Sequence, residues 1–471
     1  MARNSDRIEK DSMGEMSVPA DALYGASTQR AVLNFPVSGR PVPVEVVHAF
    51  GRLKAACAQA NQQLKTIEPK IAKLIVQACD EVATGKLDQH FPVDVFQTGS
   101  GTSTNMNANE VIANRCSQLA GKPIGSKDPV HPNDHVNYGQ SSNDTFPTAM
   151  HIAAVLMLKN DLRPALKRLH TALARKAKQW DNVVKIGRTH LQDATPIRLG
   201  QEFSGYAAQI EYAIDRTDRA IATLSELAIG GTAVGTGINT HPRFAKLVCQ
   251  KLSQSTKCKF TEARNHFEAQ ATQDSSVEAS GLLKTIAVSL SKIANDIRWL
   301  GSGPRCGLGE LVLPAIQPGS SIMPGKVNPV IAESVVQVAC QVIGNDATIT
   351  YAGFGGVGSL IDLNVAMPVM ARNLVESIHL LSRAADVFNE NLLKDLKPDK
   401  KRCADLIEQS LAMCTSLAPV IGYDNAADIA KTAFKQGKTV RQIALERNIL
   451  DADKLDALLG PWSMTEPGVK N

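Results

Sequence analysis

The chain has no apolar run that approaches about 18 uninterrupted residues, the length that a membrane-spanning helix requires. Its N-terminal segment is polar and contains acidic residues, so it resembles neither a signal peptide nor a transit peptide. The nine cysteines are scattered and no two form a C-x-x-C pair, which argues against a disulfide framework, a zinc ribbon and an iron–sulfur site. We therefore expect reduced thiols, no membrane span and a cytoplasmic location.

Concentrated runs of basic residues are also missing. The net charge of +5 is spread over 471 residues, whereas a nucleic-acid-binding surface gathers its basic side chains on one face. A dispersed positive charge suits small anions. We therefore expect a small-molecule ligand and no nucleic-acid partner.

Aromatic residues make up 4% of the chain and hydrophobic residues 44%, and several segments repeat aliphatic residues at spacings of three and four. One such stripe contains Leu283, Ile286, Leu290, Ile293, Ile297 and Leu300. A second contains Val155, Leu158, Leu162, Leu166, Leu169 and Leu173, with a kink expected near Pro164. Further helices are expected near 44–66, 107–120, 197–228, 329–345, 364–392, 400–416, 424–435 and 452–459. These stripes predict an all-α fold with a long central helical bundle.

The distribution of residues that interrupt helices predicts three domains. A mostly helical N-terminal domain covers residues 1–140, where Gly, Thr, Asn and Pro interrupt the helices. The central bundle covers residues 141–395 and a small helical domain covers residues 396–471. Helices of this length often bury one face against copies of themselves, so the bundle is also the expected oligomerisation core.

The loop "GSSIMPGKVNP" (319–329) interrupts this helical pattern and has three interpretations: a phosphate cradle, an idle connection, or a lid that carries chemistry. The phosphate-cradle interpretation fails because the spacing from Gly319 to Gly325 is one residue longer than a P-loop allows, and Val327 follows Lys326 where a Ser or Thr is required.

Two other motifs suggest cofactor or metal sites that the surrounding sequence does not support. "GFGGVG" (353–358) matches a dinucleotide-binding fingerprint and follows the strand-like "ATITYA" (347–352), but one strand cannot build the parallel sheet of that fold. It is interpreted as a turn between helices. "HPNDH" (131–135) offers two histidines four residues apart, but Pro132 and Asn133 favour a turn, and no third ligand is evident.

Four polar clusters next to predicted helices form the strongest chemical pattern. They are "TGSGTSTNMNANE" (98–110), "QSSNDT" (140–145), "GRTHLQD" (187–193) and the loop 319–329. Any one cluster could be a capped helix start, because Ser, Thr, Asn and Asp are the preferred caps. Together, neutral donors and one lysine would hold two carboxylate groups. They could also stabilise the dianion that forms when a proton leaves the carbon beside a carboxylate, each donor contributing roughly 10²–10³ in rate.

In their order and spacing, these clusters resemble the class II fumarases of the aspartase/fumarase superfamily. The similarity extends through "GGTAVGTGINTHP" and "WLGSGPRCGLGE", and "GSSIMPGKVNP" is the superfamily signature. The resemblance implies an all-α homotetramer whose active sites are shared between subunits. It also implies reversible hydration of fumarate to L-malate without metal or organic cofactor, under a mobile lid at 318–329.

The resemblance also assigns roles to individual residues. Ser320 would take the proton from malate, and His190, paired with Glu333, would handle the water. The positions that match substrate-binding residues are Ser100, Gly101, Thr102, Ser141, Ser142, Asn143, Thr189, Ser321, Lys326, Val327 and Asn328. A second dicarboxylate site would contain His131, Pro132, Asn133 and Asp134. Asp128 stands where that site expects a basic residue, and its charge should repel a carboxylate.

Two alternatives remain beside this interpretation. Aspartase, a relative that eliminates ammonia from aspartate, is favoured by His135, Val330 and the segment "KTVRQIALERNIL". Aspartases usually have Gln in place of His190, Thr in place of Ser142 and Ala in place of Gly325, so the residues nearest the chemistry favour fumarase. A non-catalytic scaffold, such as the lens crystallins on a related lyase fold, is disfavoured by the complete set of matching catalytic residues.

Overall fold

The computed structural model describes residues 6–468, which are mostly helical. The expected domain ends at residues 1–5 and 469–471 lie outside that range. The helices are α1 (Ala26–Asn34), α2 (Val44–Gln63), α3 (Pro69–Ala83), α4 (Thr102–Leu119), α5 (Ser142–Met157), α6 (Arg163–Gln179), α7 (Leu199–Thr223), α8 (Phe244–Thr256), α9 (His266–Ala271), α10 (Asp274–Leu300), α11 (Val330–Gly353), α12 (Met367–Phe388), α13 (Lys400–Gln409), α14 (Ala418–Ile421), α15 (Tyr423–Gln436), α16 (Val440–Glu446) and α17 (Ala452–Leu458). The all-α prediction is confirmed.

Short strands form two-stranded pairs in the described part of the chain. The strands are β1 (Arg7–Asp11), β2 (Gly14–Val18), β3 (Val184–Thr189), β4 (Gln192–Arg198), β5 (Glu226–Leu227), β6 (Thr261–Glu262), β7 (Leu311–Val312) and β8 (Lys397–Pro398). Pairs β1–β2, β3–β4 and β7–β8 are antiparallel, whereas β5–β6 is parallel. None of these pairs is a layer of the core. They connect helices and fix the ends of loops.

The chain divides into two compact units. The first contains the chain up to Pro164, Asp215–Ala287 and Ala339–Ser382. The second contains Ala165–Ile214, Val288–Val338 and the chain from Arg383 onward. No helix among residues 6–468 is both long and apolar enough to cross a membrane. All nine cysteines are free.

The predicted apolar stripes form core. Every residue of the stripe on α10 is at most 5% exposed. The stripe from Val155 to Leu173 is also buried, although the helix there is not continuous. A single π-helical turn, Leu158–Leu162, separates α5 from α6 immediately before Pro164. Such a turn absorbs the missing backbone hydrogen bond of a proline, so the expected kink takes the form of a π-bulge.

Several boundaries differ from the sequence-based expectations. The strand-like "ATITYA" is the last part of α11, because its Ile and Tyr side chains continue the helix that began at Val330. The segment between α11 and α12 is a non-helical connection, as predicted for "GFGGVG". Helices α1, α3, α8, α9, α14 and α16 and the β3–β4 hairpin were not predicted. The hairpin is short and irregular, with a register shift between Ile186 and Arg188, so it lacks the strict alternation that identifies a strand.

Candidate active site

A row of three hydroxyl groups lies at the adjoining N-termini of α4 and α5 in the first unit. Ser100 Oγ is 2.7 Å from Thr102 Oγ1, which is 2.8 Å from Ser142 Oγ. Ser142 Oγ in turn donates to Asn143 Oδ1 at 3.3 Å. Unpaired backbone N–H groups at helix N-termini attract anions. The structure therefore brings together the predicted residues of the first two polar clusters in an arrangement that suits a carboxylate.

The start of α4 depends on a glycine. Gly101 has φ = +72°, and a Cβ atom at this position would lie 2.0 Å from the ring of Phe146, which is fully buried. Only glycine tolerates both the left-handed backbone and this close approach. Gly101 therefore sets the direction in which Thr102 and Ser100 point.

The start of α5 is fixed by a capping box and by a buried carboxylate. Ser141 Oγ accepts from the N–H of Asn143, while Asp144 Oδ1 accepts from the N–H of Ser141. The other oxygen of Asp144 accepts from the N–H groups of Gly230 and Thr232, at 2.9 and 3.0 Å. Burial raises the pKa of Asp144 to about 6, although these N–H donors oppose the shift. Asp144 thus ties the 230–232 segment to the helix that carries Ser142.

A cleft of about 980 Å³ opens over this arrangement, entirely within the first unit. Its walls include Thr102, Ser141 and Ser142. The segment 232–241 forms another part of the wall, and Asn143 Nδ2 donates to the carbonyl oxygen of Ala233 at 2.7 Å. The volume is ample for a small dicarboxylate.

His190 lies at the tip of the β3–β4 hairpin, in the second unit. Thr189 pairs with Gln192, so His190 and Leu191 form a two-residue turn, with φ values of 57° and 59°. Positive φ at both positions defines a type I′ turn, which usually requires Gly or Asn. Thr189 and His190 are exposed. Among residues 6–468, no hydrogen bond or ion pair of the His190 side chain is found.

The base of the same hairpin is held by buried charges. Glu310 is fully buried and receives both arms of the Arg188 guanidinium, at 2.8 and 3.1 Å. Lys185, also fully buried, lies 3.4 Å from Glu310 and donates to the carbonyl oxygen of Ile186. The backbone of Glu310 is itself fixed, because its N–H donates to Leu300. These contacts position the strand that carries His190.

The predicted lid contains Ser320 in a tight loop of the second unit. Ser320 Oγ accepts from the N–H groups of Ile322 and Met323, at 3.2 and 3.1 Å. Two N–H donors aimed at a serine oxygen would stabilise its alkoxide form. Ser321 next to it is exposed.

The two ends of the loop are joined. The N–H of Gly319 donates to the carbonyl oxygen of Lys326 at 3.0 Å, and Asn328 Nδ2 donates to the carbonyl oxygen of Gly319 at 2.6 Å. A Cβ at Gly319 would lie 2.2 Å from the Lys326 oxygen, so this closure needs glycine. Lys326 and Val327 are left exposed on the loop.

Glu333 is half-buried in the first turn of α11. Within the described residues of a single chain, no hydrogen bond or ion pair joins Glu333 to His190. The pairing implied by the family resemblance is therefore not formed by one chain alone in this structure.

The residues of the expected second site form a single π-helical turn, Pro132–Val136. His131 Nδ1 accepts from the N–H groups of Asn133 and Asp134, at 3.3 and 3.1 Å. Side chains therefore bond their own backbone, as predicted, although the turn is wound as a π-helix. Burial lowers the pKa of His131. Asp128 pairs with Lys122 at 3.0 Å on the surface.

Four buried charged residues next to these predicted sites were missed by the sequence predictions: Lys54, Asp144, Lys185 and Glu310. Each is at most 1% exposed. Lys54 sits among Ala and Leu residues of α2, where a single charge gives no local signal. Asp144 lies in "QSSNDT" and Glu310 ends "WLGSGPRCGLGE". Their place in these recognised motifs was the signal that could have identified them. In the described part of the chain, no group of three or more His, Cys, Asp or Glu side chains is arranged to hold a metal ion.

Comparison with known proteins agrees with this geometry. The family model described as "Lyase" matches residues 14–344, and the model described as "Fumarase C C-terminus" matches residues 413–466. The match to the lyase model covers more than half of the chain, so this all-α protein is a lyase.

Individual relatives are similar over nearly the whole chain. "Fumarate hydratase class II 2" of Bradyrhizobium diazoefficiens is 52% identical, across 99% of this chain and 98% of its own. "Fumarate hydratase, mitochondrial" of Saccharomyces cerevisiae is 53% identical, across 98% of this chain and 95% of its own. The crystal structure of class II fumarase from Schistosoma mansoni matches with a TM-score of 0.95 and 40% identity, covering 98% of this chain and 99% of that one. The chain belongs to the class II fumarate hydratase family, in the aspartase/fumarase superfamily.

Proposed function

We propose that this protein catalyses the reversible hydration of fumarate to L-malate. The observation that carries the proposal is the row of hydroxyls from Ser100 through Thr102 to Ser142 at two helix N-termini. Neutral donors and helix dipoles bind a carboxylate without placing a competing charge beside it. The whole-chain similarity to fumarate hydratases supports the same substrate.

In the proposed mechanism, Ser320 removes the proton from the carbon beside one carboxylate of malate. The electron pair left on that carbon is delocalised into the carboxylate, which becomes a dianion. The N–H groups of Ile322 and Met323 stabilise the serine alkoxide that acts as base. Lys326, which has an exposed side chain in the isolated chain, adds positive charge when the loop covers the substrate.

The electron pair then forms the carbon–carbon double bond as the bond from carbon to the hydroxyl group breaks. His190, held by Glu333, gives a proton to the departing hydroxide, and water leaves. The remaining site residues, Gly101, Ser141, Asn143, Thr189, Ser321, Val327 and Asn328, are proposed to bind and orient the substrate.

The active form is proposed to be a homotetramer with sites shared between subunits. Two observations support this: His190 lies at an exposed tip, and among residues 6–468 its side chain makes no hydrogen bond or ion pair with Glu333. Their pairing would then be made by different copies of the chain. The proposed domains remain residues 1–140, 141–395 and 396–471, with the central part forming the tetramer core. A cytoplasmic location is also proposed, because the nine cysteines are all free, as is typical of a reducing compartment.

An ultraviolet assay on the pure protein tests the function, with malate and aspartate offered separately and fumarate followed. Fumarate is expected from malate and little or none from aspartate, with activity surviving dialysis against a chelator. A Ser142→Ala variant is the internal control, since loss of one hydroxyl from the row should weaken malate binding. Efficient ammonia release from aspartate, with malate untouched, would assign the protein to the aspartases instead.

A further inference from the structure

Lys54 is a fully buried lysine on α2 whose described partners are all neutral. Its Nζ donates to Asn105 Oδ1 at 2.8 Å, to Asn137 Oδ1 at 2.9 Å and to Gln140 Oε1 at 3.0 Å. Among residues 6–468 it makes no ion pair. Burying an ammonium group with no anionic partner is unfavourable. A neutral side chain with N–H groups could donate to the same three amide oxygens without that cost. The positive charge itself therefore requires an explanation.

The group stays mostly charged at neutral pH. Burial lowers the pKa of Lys54 to about 8, while the nearby charge of Asp144 opposes that shift. Asp144 uses its own oxygens for backbone N–H groups and does not bond Lys54. The charge of Lys54 is thus not cancelled by a direct contact.

The position of Lys54 directs that charge towards the cleft. All three of its amide partners line the cleft, so only these amide side chains separate its Nζ from the cleft. Asn105 lies one helical turn after Thr102 on α4. The residues lining the cleft include no lysine or arginine, whereas Asp134 is among them. Lys54 therefore supplies positive charge that the wall lacks.

We propose that Lys54 is a specificity-determining residue that makes this cleft prefer dianionic over monoanionic ligands, through the electrostatic potential of its buried ammonium. The proposal rests on the proposed function, because it assumes that the cleft holds a dicarboxylate. Lys54 touches no substrate in this scheme. It acts across Asn105 and Gln140, which carry its hydrogen bonds to the wall.

The test compares binding of succinate, which has two carboxylates, with succinamate, in which one carboxylate is replaced by an amide. Lys54→Met should reduce the preference for succinate by roughly fifteenfold to thirtyfold, the effect of a unit charge about 8–10 Å away at an effective dielectric of about 20. The matched control is Asn61→Leu. Asn61 is two turns further along α2 and donates to the carbonyl oxygen of Tyr138 at 3.1 Å, so it fixes the same turn without a charge.

The outcomes separate the two proposals. If wild-type protein binds neither ligand and forms no fumarate, the proposed function fails. If wild-type protein prefers succinate and Lys54→Met keeps that preference, or weakens both ligands equally, Lys54 is a structural residue and this inference is wrong. Asn61→Leu should change both affinities alike and leave the preference intact.

A second measurement needs only wild-type protein and covers the case in which Lys54→Met does not fold. The ionisable groups around Lys54 are Asp144 on α5, Cys57 on α2 and Cys79 on α3, with Cys249 on α8 beyond Cys57. Burial raises the pKa of each of these thiols, that of Cys249 to about 12. Burial lowers the pKa of Lys54 to about 8, so its ammonium group loses its proton around that pH and the preference for succinate should fall between pH 7 and about 9.5. A constant preference over that range would overturn the proposal.

Discussion

The buried ion pair at the base of the hairpin that carries His190 yields a prediction whose size follows from geometry. Glu310 is 0% exposed and Arg188 is 11% exposed, and they are joined by two parallel hydrogen bonds. At an effective dielectric of about 20, opposite charges about 4 Å apart attract by about 4 kcal/mol. Breaking a buried pair by removing one partner typically costs about 3–5 kcal/mol, because the other charge stays buried. Glu310→Gln should therefore lower the free energy of unfolding by about that amount.

The chain offers a matched control. Arg163 and Asp218 make the same forked pair, with N–O distances of 2.6 and 3.0 Å, but their side chains are 33% and 45% exposed. Exposed pairs contribute about 0–1 kcal/mol, so Asp218→Asn should change stability little. Urea unfolding of both variants, followed by circular dichroism under identical conditions, measures the difference.

Activity provides an independent measurement. Arg188 lies on β3, two residues before His190. Loss of the Glu310 carboxylate should therefore make the position of the proposed catalytic imidazole less well fixed. Misplacing a reacting group by about 1 Å can reduce the rate about a hundredfold. We expect Glu310→Gln to lower kcat by tenfold or more, with a smaller effect on KM. If Glu310→Gln unfolds at the same urea concentration as Asp218→Asn and keeps full turnover, the buried pair neither stabilises the chain nor positions the hairpin.

Three further predictions follow from the same structure. His190→Asn should cut turnover far more than it weakens succinate binding, since its proposed role lies in the transition state; kcat from the malate assay, set against a succinate titration, checks this. His190→Asn and Ser320→Ala proteins, unfolded together and reassembled, should recover about a quarter of wild-type sites if the two residues come from different subunits. Recovery of no activity despite confirmed subunit exchange would refute shared sites. Since burial raises the folded-state pKa of Asp144 from its ordinary 3.8 to about 6, the folded state holds the extra proton and stability should fall as pH rises from about 4 to 6, by roughly 3 kcal/mol. Asp144→Asn should flatten that part of a pH series of urea unfolding curves, and an unchanged slope would exclude Asp144 as its source.

The long helices could be predicted because their signal is local. Each core residue of α10 repeats at a helical spacing, so the pattern identifies both the helix and its buried face. Helix α3 follows the predicted α2 and was missed, although Pro69 at its first turn is itself a signal for a helix start. The loop 319–329 was recognised from a motif of eleven residues, and its closure by Gly319 and Asn328 needs only neighbours along the chain. Its role as a lid stays a prediction.

The charged residues behind the site could not be predicted in the same way. Lys54 meets its partners 51, 83 and 86 residues further along the chain, and Glu310 meets Arg188 across 122 residues. A buried charge is recognisable only once its surroundings are known, because the same residue in a solvated turn carries no energetic consequence.

The tip of the hairpin raises a different question, since the chain alone does not favour its conformation. His190 and Leu191 both have left-handed backbone, which costs about 1–3 kcal/mol for each residue without glycine's freedom. Leu191 is 62% exposed, so packing within the chain does not offset that energy. The strand below is held by Glu310, but the tip has no described partner of its own. In the proposed homotetramer, another copy of the chain would cover this strained turn and supply both a partner for the His190 imidazole and an apolar contact for Leu191.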